Sequence, residues 1–163
     1  AVPLFGKPVQ ETGQLILLKP GLDVLRAQKD PFAIVSAVGP TRTGKSSLLG
    51  RAFLRGGDEN AFEIGDGVTS YTTGVHILSE PIEMQTSQGK MNVLLVDTEG
   101  FHGIGGRTSH TYEANLFGLV WLMSSVLIFN TMFPVDASTV KSLNAFGKEA
   151  VEVLKELNVH RTA

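Results

Sequence analysis

Cysteine is absent from the 163 residues, tryptophan occurs once and tyrosine twice. Without cysteine there is neither a disulfide scaffold nor a thiolate metal site, which fits a reducing compartment. Charge is sparse as well: 14 basic side chains against 16 acidic ones leave a net charge of −2. Such a balance gives no bulk attraction to nucleic acid or to an anionic membrane, and no nucleic-acid partner is expected. Long hydrophobic runs are missing too. The longest, LFGLVWLMSSVLIF from Leu116 to Phe129, has fourteen residues and is broken by two serines, short of the ~20 that a membrane-spanning helix needs. A buried helix running into a buried strand is expected there. The N-terminal AVPLFGKPVQ lacks the basic-then-apolar layout of a signal peptide. No repeat or linker divides the chain, and 42% hydrophobic residues suffice for one real core.

What is present alternates between elements. Gln14 to Leu18 is a short apolar run, and Pro20 opens a helix through about Ala27 with Leu22 and Leu25 facing inward. FAIVSAV, Phe32 to Val38, is a buried strand bounded by Pro31 and Gly39, and a helix from Lys45 to about Leu54 follows. Asp58 to Thr73 is a polar loop. Gly74 to Met84 and Met91 to Asp97 are strands joined through TSQGK as a hairpin. A second glycine-rich loop spans 98–110, then come a helix to about Met123 and a strand from Val126 to Asn130. Asp136 caps a last helix whose inward positions are Val140, Leu143, Phe146, Val151, Leu154 and Leu157. The alternation predicts an α/β domain with a mostly parallel sheet, to which the hairpin adds one antiparallel edge strand.

Three stretches carry chemistry. Gly39-Pro40-Thr41-Arg42-Thr43-Gly44-Lys45-Ser46 fits G-x-x-x-x-G-K-[ST] at each fixed position. Backbone N–H groups can curl around a β-phosphate only where Cβ atoms stay clear, hence glycine at both ends. The lysine brings a point charge to the β- and γ-phosphates, and the serine hydroxyl ligates Mg²⁺. A strand ending at Val38 and a helix starting at Lys45 also aim a helix dipole at the phosphates. MNVLLVDTEG, Met91 to Gly100, is an apolar strand ending in D-x-x-G, where Asp97 would hold Mg²⁺ through water and the Gly100 amide could sense the γ-phosphate. Alone, that pattern is equally an aspartate capping a turn. Between them lies VTSYTTGV, Val68 to Val75, in which one threonine would complete the Mg²⁺ shell, the alternative being a polar loop with good strand formers at its exit. His102 and His76 lack metal-ligand partners at suitable spacing and read as a loop and a strand residue. Phe117 and Trp121 lie in an apolar helix and read as core.

Together, GQLILLKPGLDVL, RTGKS, TTG, VLLVDTEG and SSVLIFN resemble the guanylate-binding proteins and the related atlastins, large GTPases of the dynamin superfamily. RTGKS and DTEG lean toward the guanylate-binding branch, TTG toward the atlastins. The resemblance implies a three-layer P-loop NTPase G domain over residues 1–163, binding GTP or GDP with Mg²⁺. Arg42 matches an internal arginine finger, Ser70 a switch serine that positions the attacking water, Thr72 the threonine on Mg²⁺, and Glu99 a glutamate in the water and proton network. Expected nucleotide contacts are therefore Gly39, Arg42, Thr43, Gly44, Lys45, Ser46, Ser47, Thr72 and Gly100, and expected metal ligands Ser46, Thr72 and Asp97. Small GTPases orient water with a glutamine just after D-x-x-G. Here Phe101 holds that place and cannot, which leaves the task to Ser70 and Glu99.

The family's guanine-reading Arg-Asp pair has no counterpart, since Arg161 precedes Thr162, and its long helical region is absent. A G domain truncated at the C-terminus is expected. The expected activity is GTP hydrolysis coupled to self-association as a nucleotide-dependent homodimer. The alternatives are an assembly or membrane-remodelling module with slow hydrolysis and, third, a P-loop kinase, for which no acceptor site is evident. The resemblance implies a cytoplasmic location, with any membrane association made through other regions.

Overall fold

The computed structural model describes residues 1–6, 15–54, 61–62, 73–101, 110–132 and 134–156. In chain order these form β1 (Val2–Gly6), β2 (Ile16–Leu17), α1 (Lys19–Arg26), β3 (Phe32–Val38), α2 (Lys45–Phe53), β4 (Val75–Ile77), β5 (Ile82–Thr86), β6 (Gly89–Thr98), α3 (His110–Met123), β7 (Val126–Phe129) and α4 (Ala137–Glu156). The strands make one sheet in the order β2-β1-β4-β6-β3-β7, with β5 also on β6.

The sheet is mixed, which corrects the expectation of a mostly parallel one. Among the described residues β3 runs parallel to β6 and to β7, while β1·β2, β1·β4, β4·β6 and β5·β6 are antiparallel. Two features shift the balance. The N-terminal VPLFG is a strand, β1, although it is short and contains proline. The expected strand from Gly74 to Met84 is two strands on the same edge of β6, interrupted before Pro81, whose ring has no N–H to give a ladder. Leu78 N–H still reaches the Leu95 carbonyl at 2.9 Å across the break. The hairpin itself is as expected: Thr86 Oγ1 donates to the Gly89 carbonyl at 2.7 Å, and Gly89 supplies φ +116°.

Alternation along the central strands sends side chains to both faces. Ile34, Val38, Leu94 and Val96 join Leu116, Phe117 and Val120 of α3 in one apolar cluster, with Val24 and Leu25 of α1 packed against it. Leu22, expected beside Leu25, is half-buried outside that cluster. Val35, Ala37, Val93 and Leu95 join Leu49 of α2 in the other. Phe62, within the stretch expected to be a polar loop, is 2% exposed in this second cluster.

The Ser124-Ser125 pair fixes where β7 begins. Ser125 exchanges two bonds with Ile34, N–H to carbonyl at 2.8 Å and Oγ accepting the Ile34 N–H at 3.2 Å. Ser124 Oγ meets the buried Ser36 Oγ at 2.6 Å and donates to the Val120 carbonyl. Helix α3 ends there, so the apolar run is a helix passing into a strand, as expected, but β7 is not the buried strand expected: Val126 is 51% exposed and Leu127 to Phe129 are half-buried. Among the described residues no helix is long and apolar enough to cross a membrane.

Asp136 caps α4 as expected, its Oδ1 accepting the Thr139 N–H at 2.8 Å. Leu143 packs inward, but Val140 and Val151 are 55% and 48% exposed, against expectation. The side chains of Phe146 and Leu154, and Leu157 altogether, lie outside the described residues. Phe117 is core, whereas Trp121 is half-exposed, its ring 5.5 Å from that of Phe117 and beside Gly147 of α4. His76 is a half-buried residue of β4 as expected; His102 lies outside the described residues.

Candidate functional site

The parallel register of β3 and β6 sets Ala37 opposite Asp97, so the loop leaving β3 and the acidic end of β6 emerge side by side. The loop's conformation follows from its residues. Gly39 has φ +144°, and a Cβ there would overlap the Asn130 carbonyl oxygen, so only glycine fits. Arg42 has φ +64°, a left-handed value that non-glycine residues seldom take, and Gly44 has φ +82°. Two donors converge on one carbonyl: Thr43 Oγ1 and Lys45 Nζ each reach the Pro40 oxygen at 3.0 Å. From outside, Asn130 Nδ2 donates to the Thr43 carbonyl at 2.8 Å.

Helix α2 starts at Lys45 with Gly44 as its cap, without a side-chain capping bond and without an acidic residue in its first turn. Its N-terminal N–H groups therefore present partial positive charge with no acidic residue of the helix itself beside them. Lys45 is only 6% exposed. Burial lowers its pKa from the ordinary lysine value, and the carboxylates of Asp97 and Glu99 act in the opposite direction. An anion above the loop would offset that desolvation. Directly beneath, Ser46 Oγ donates to Asp97 Oδ2 at 2.5 Å, and Asp97 is 1% exposed. This pair joins two hard oxygen donors. Among the described residues no group of three or more His, Cys, Asp or Glu could hold a metal. The Ser46–Asp97 pair itself would fit a small, hard cation that takes one or two protein oxygens, the habit of Mg²⁺.

The DTEG segment closes against the loop. Phe101 N–H donates to the Gly39 carbonyl at 3.1 Å and Thr41 N–H to the Phe101 carbonyl at 3.0 Å. Gly100 lies flat on Thr41, where a Cβ would overlap the Thr41 main chain. The Phe101 ring is buried, 5.8 Å from that of Phe117. It sits in the core, in agreement with the expectation that it cannot orient water. Glu99 turns the other way. Its Oε2 accepts the Gly74 N–H at 3.0 Å and the Tyr112 hydroxyl at 3.1 Å, and its own N–H donates to the Gly74 carbonyl at 2.7 Å.

The structure thus brings together Gly39, Thr43, Gly44, Lys45, Ser46, Asp97, Glu99 and Gly100. Arg42 sits at the loop's turn as an exposed residue, and Ser47 is half-buried in the first turn of α2. Ser70 and Thr72 lie outside the described residues. Sequence reading missed Tyr112 and any contact from Asn130 to the loop. Both partnerships span long stretches of chain and leave no local signal, although SSVLIFN had marked Asn130 by resemblance.

Strand, glycine-bounded loop and helix, with a buried lysine and a serine–aspartate pair at the junction, define an α/β domain built on the phosphate-loop pattern. The family model for the guanylate-binding protein N-terminal domain matches residues 12–162. The chain belongs to the guanylate-binding protein family. It is 30% identical over 132 residues to guanylate-binding protein 5 of Mus musculus, covering 81% of this chain and 21% of the relative. Guanylate-binding protein 2 of Homo sapiens gives the same identity and coverage. Guanylate-binding protein 5 of Homo sapiens is 28% identical over 145 residues, 89% of this chain and 23% of the relative. The chain spans about a fifth of the length of these relatives.

Proposed function

We propose that residues 1–163 form part of the G domain of a guanine-nucleotide hydrolase, converting GTP and water to GDP and inorganic phosphate with Mg²⁺. The observation that carries this most directly is the buried, desolvated Lys45 at an uncapped helix N-terminus above the Ser46–Asp97 pair. Guanine as the base is supported by the relatives, which are guanylate-binding proteins. Gly39, Thr43, Gly44 and Ser47 offer backbone N–H groups to the phosphates, and Lys45 places its charge between them. Ser46 and Thr72 would ligate Mg²⁺ directly and Asp97 through water; the ion supplies charge neutralisation on the β- and γ-phosphates. Ser70 and Glu99 orient the attacking water, and the Gly100 amide would follow the γ-phosphate. As water attacks the γ-phosphorus and the bond from Pγ to the β–γ bridging oxygen breaks, negative charge accumulates on that oxygen, which leaves with GDP. Arg42, an exposed residue on the turn of the loop, folds over to neutralise it. Self-association as a nucleotide-dependent homodimer would bring that arginine into place, in a cytoplasmic protein.

The test measures equilibrium binding of a non-hydrolysable GTP analogue and single-turnover hydrolysis in the full-length protein. Arg42→Ala is expected to lower turnover by about 10²-fold or more while changing affinity only a few-fold. Binding and rate lost in equal proportion would make Arg42 a ground-state clamp, and no binding of any guanine nucleotide by the wild type would end the proposal. Turnover per molecule that rises with protein concentration supports the homodimer. A flat, slow rate would favour an assembly module instead.

A further inference from the structure

Glu99 is held from two directions that nothing in the motif DTEG announces. Gly74, on one side, is the exit of the threonine–glycine loop. It exchanges both of its main-chain groups with Glu99, donating to the carboxylate at 3.0 Å and accepting from the Glu99 N–H at 2.7 Å. Its φ of +78° and a Cβ position that would overlap the Phe5 carbonyl of β1 make glycine obligatory there. On the other side stands Tyr112, in the first turn of α3. The residue is 5% exposed and its ring belongs to the apolar cluster beneath the sheet, while its hydroxyl donates to the same carboxylate oxygen at 3.1 Å.

We propose that Tyr112 is a positioning residue for hydrolysis: its hydroxyl and the Gly74 N–H together fix the plane of the Glu99 carboxylate beside the phosphate site. The inference rests on the reading of Glu99 as a water-orienting group. A carboxylate on a flexible two-carbon stem samples several rotamers, and a hydrogen bond from the main chain alone leaves rotation about that bond open. A second donor on a different element, anchored in the core, removes the freedom. Tyr112 suits the task because it stays a neutral donor. Burial first, then the adjacent Glu99 charge and the hydrogen bond, push its pKa well above the ordinary phenol value of 10.0. The same arrangement makes the exit of the threonine–glycine loop, the DTEG carboxylate and α3 one unit.

The experiment uses the full-length protein and GTP. Tyr112→Phe keeps the ring in its cluster and removes only the hydroxyl. It should lower kcat by roughly 10-fold, the size expected for losing one hydrogen bond to a charged group, with KM and GDP affinity unchanged. In a Glu99→Gln background the same substitution should add nothing, because Tyr112 acts only through Glu99. Wild-type kcat in Tyr112→Phe overturns the proposal, and so does an equal fall in both backgrounds. Absence of GTP hydrolysis in the wild type would instead overturn the reading of the site. A second measurement does not depend on Tyr112→Phe folding. With an isotope label placed at Tyr112 alone, an NMR titration of the full-length protein should find Tyr112 ionising far above an exposed tyrosine, and Glu99→Gln should move it back down. A titration that ignores Glu99→Gln overturns the pairing.

Discussion

Gly100→Ala is the most informative single perturbation, because one methyl group separates the contact between two loops from everything else at the site. The new Cβ would stand 2.5 Å from Thr41 N and 2.7 Å from Thr41 Oγ1, with the Thr41 Cα nearer still. Main chain cannot rotate away as a flexible side chain can, so the two loops must part by about 1 Å to restore ordinary carbon contact. At that separation the Thr41–Phe101 bond of 3.0 Å and the Phe101–Gly39 bond of 3.1 Å both leave hydrogen-bonding range. Two bonds at about 1 kcal/mol each, with about 1 kcal/mol of overpacking, come to about 3 kcal/mol. At roughly 2–4 °C per kcal/mol for a domain of this size, the melting temperature should fall by roughly 6–12 °C. Scanning calorimetry of the domain, with and without a non-hydrolysable GTP analogue, reads both consequences. The nucleotide-induced upward shift should shrink, since it grows with the logarithm of ligand over Kd and the displaced arm carries the loop. Gly89→Ala is the control: it strains a φ of +116° in the hairpin with no atom within 4 Å of its Cβ, so it should lower stability and leave the nucleotide shift intact. If Gly100→Ala melts within about 2 °C of the wild type, less than one lost hydrogen bond would produce, the loops are not in contact as described.

Two further outcomes follow from buried ionisable groups. Lys45→Met removes a charge that burial disfavours in the nucleotide-free fold, so this variant should melt no lower than the wild type without ligand yet show no nucleotide-induced shift; a lower melting temperature would mean that Asp97 and Glu99 need the lysine more than burial opposes it. For Tyr112 the folded pKa lies above the unfolded one, so the fold binds the phenolic proton more tightly. The stability this contributes is complete below pH 10 and is lost as pH rises beyond it. Thermal melts between pH 9 and pH 11 should therefore decline less steeply in Tyr112→Phe than in the wild type, and parallel slopes would refute the linkage.

Much of the fold around the phosphate loop was legible because its signals are local. Pro31 and Gly39 bracket a continuous apolar strand, and G-K-S begins a helix directly afterwards. MNVLLVDTEG reads the same way, and Ser46 meeting Asp97 is what those two motifs predict when their strands are neighbours. Signals that depend on distant partners were illegible. VPLFG has the length and proline of a loop and becomes a strand only because β4 offers it an edge. Val140 and Val151 keep the helical spacing of a buried stripe but remain exposed, since periodicity names a face without saying what covers it. Phe62 sits in a polar stretch and is buried by β3 and β6 residues that come from elsewhere. The pairing of Tyr112 with Glu99 depends on where α3 starts relative to β6, and a single sequence records no such distance. Ser70 and Thr72, named from resemblance, lie outside the described residues.

The supports of the phosphate loop are remote along the chain, and that sets the order in which the site can be built. Ser46 waits 51 residues for Asp97, Thr43 waits 87 for Asn130, and Ile34 waits 91 for Ser125. During synthesis the chain emerges N-terminus first, so β3 and the glycine loop are exposed to solvent long before either neighbour of β3 exists. Contacts of such separation are closed against a large entropy and late. A nucleotide bound as proposed would therefore not template the early chain; it would reward only a fold already complete through Asn130. Until β6 arrives, FAIVSAV is an unpaired apolar strand with both edges open, the kind of segment that seeks any strand it meets. The residues that make this site chemically capable are thus the ones that leave the nascent protein most dependent on being finished.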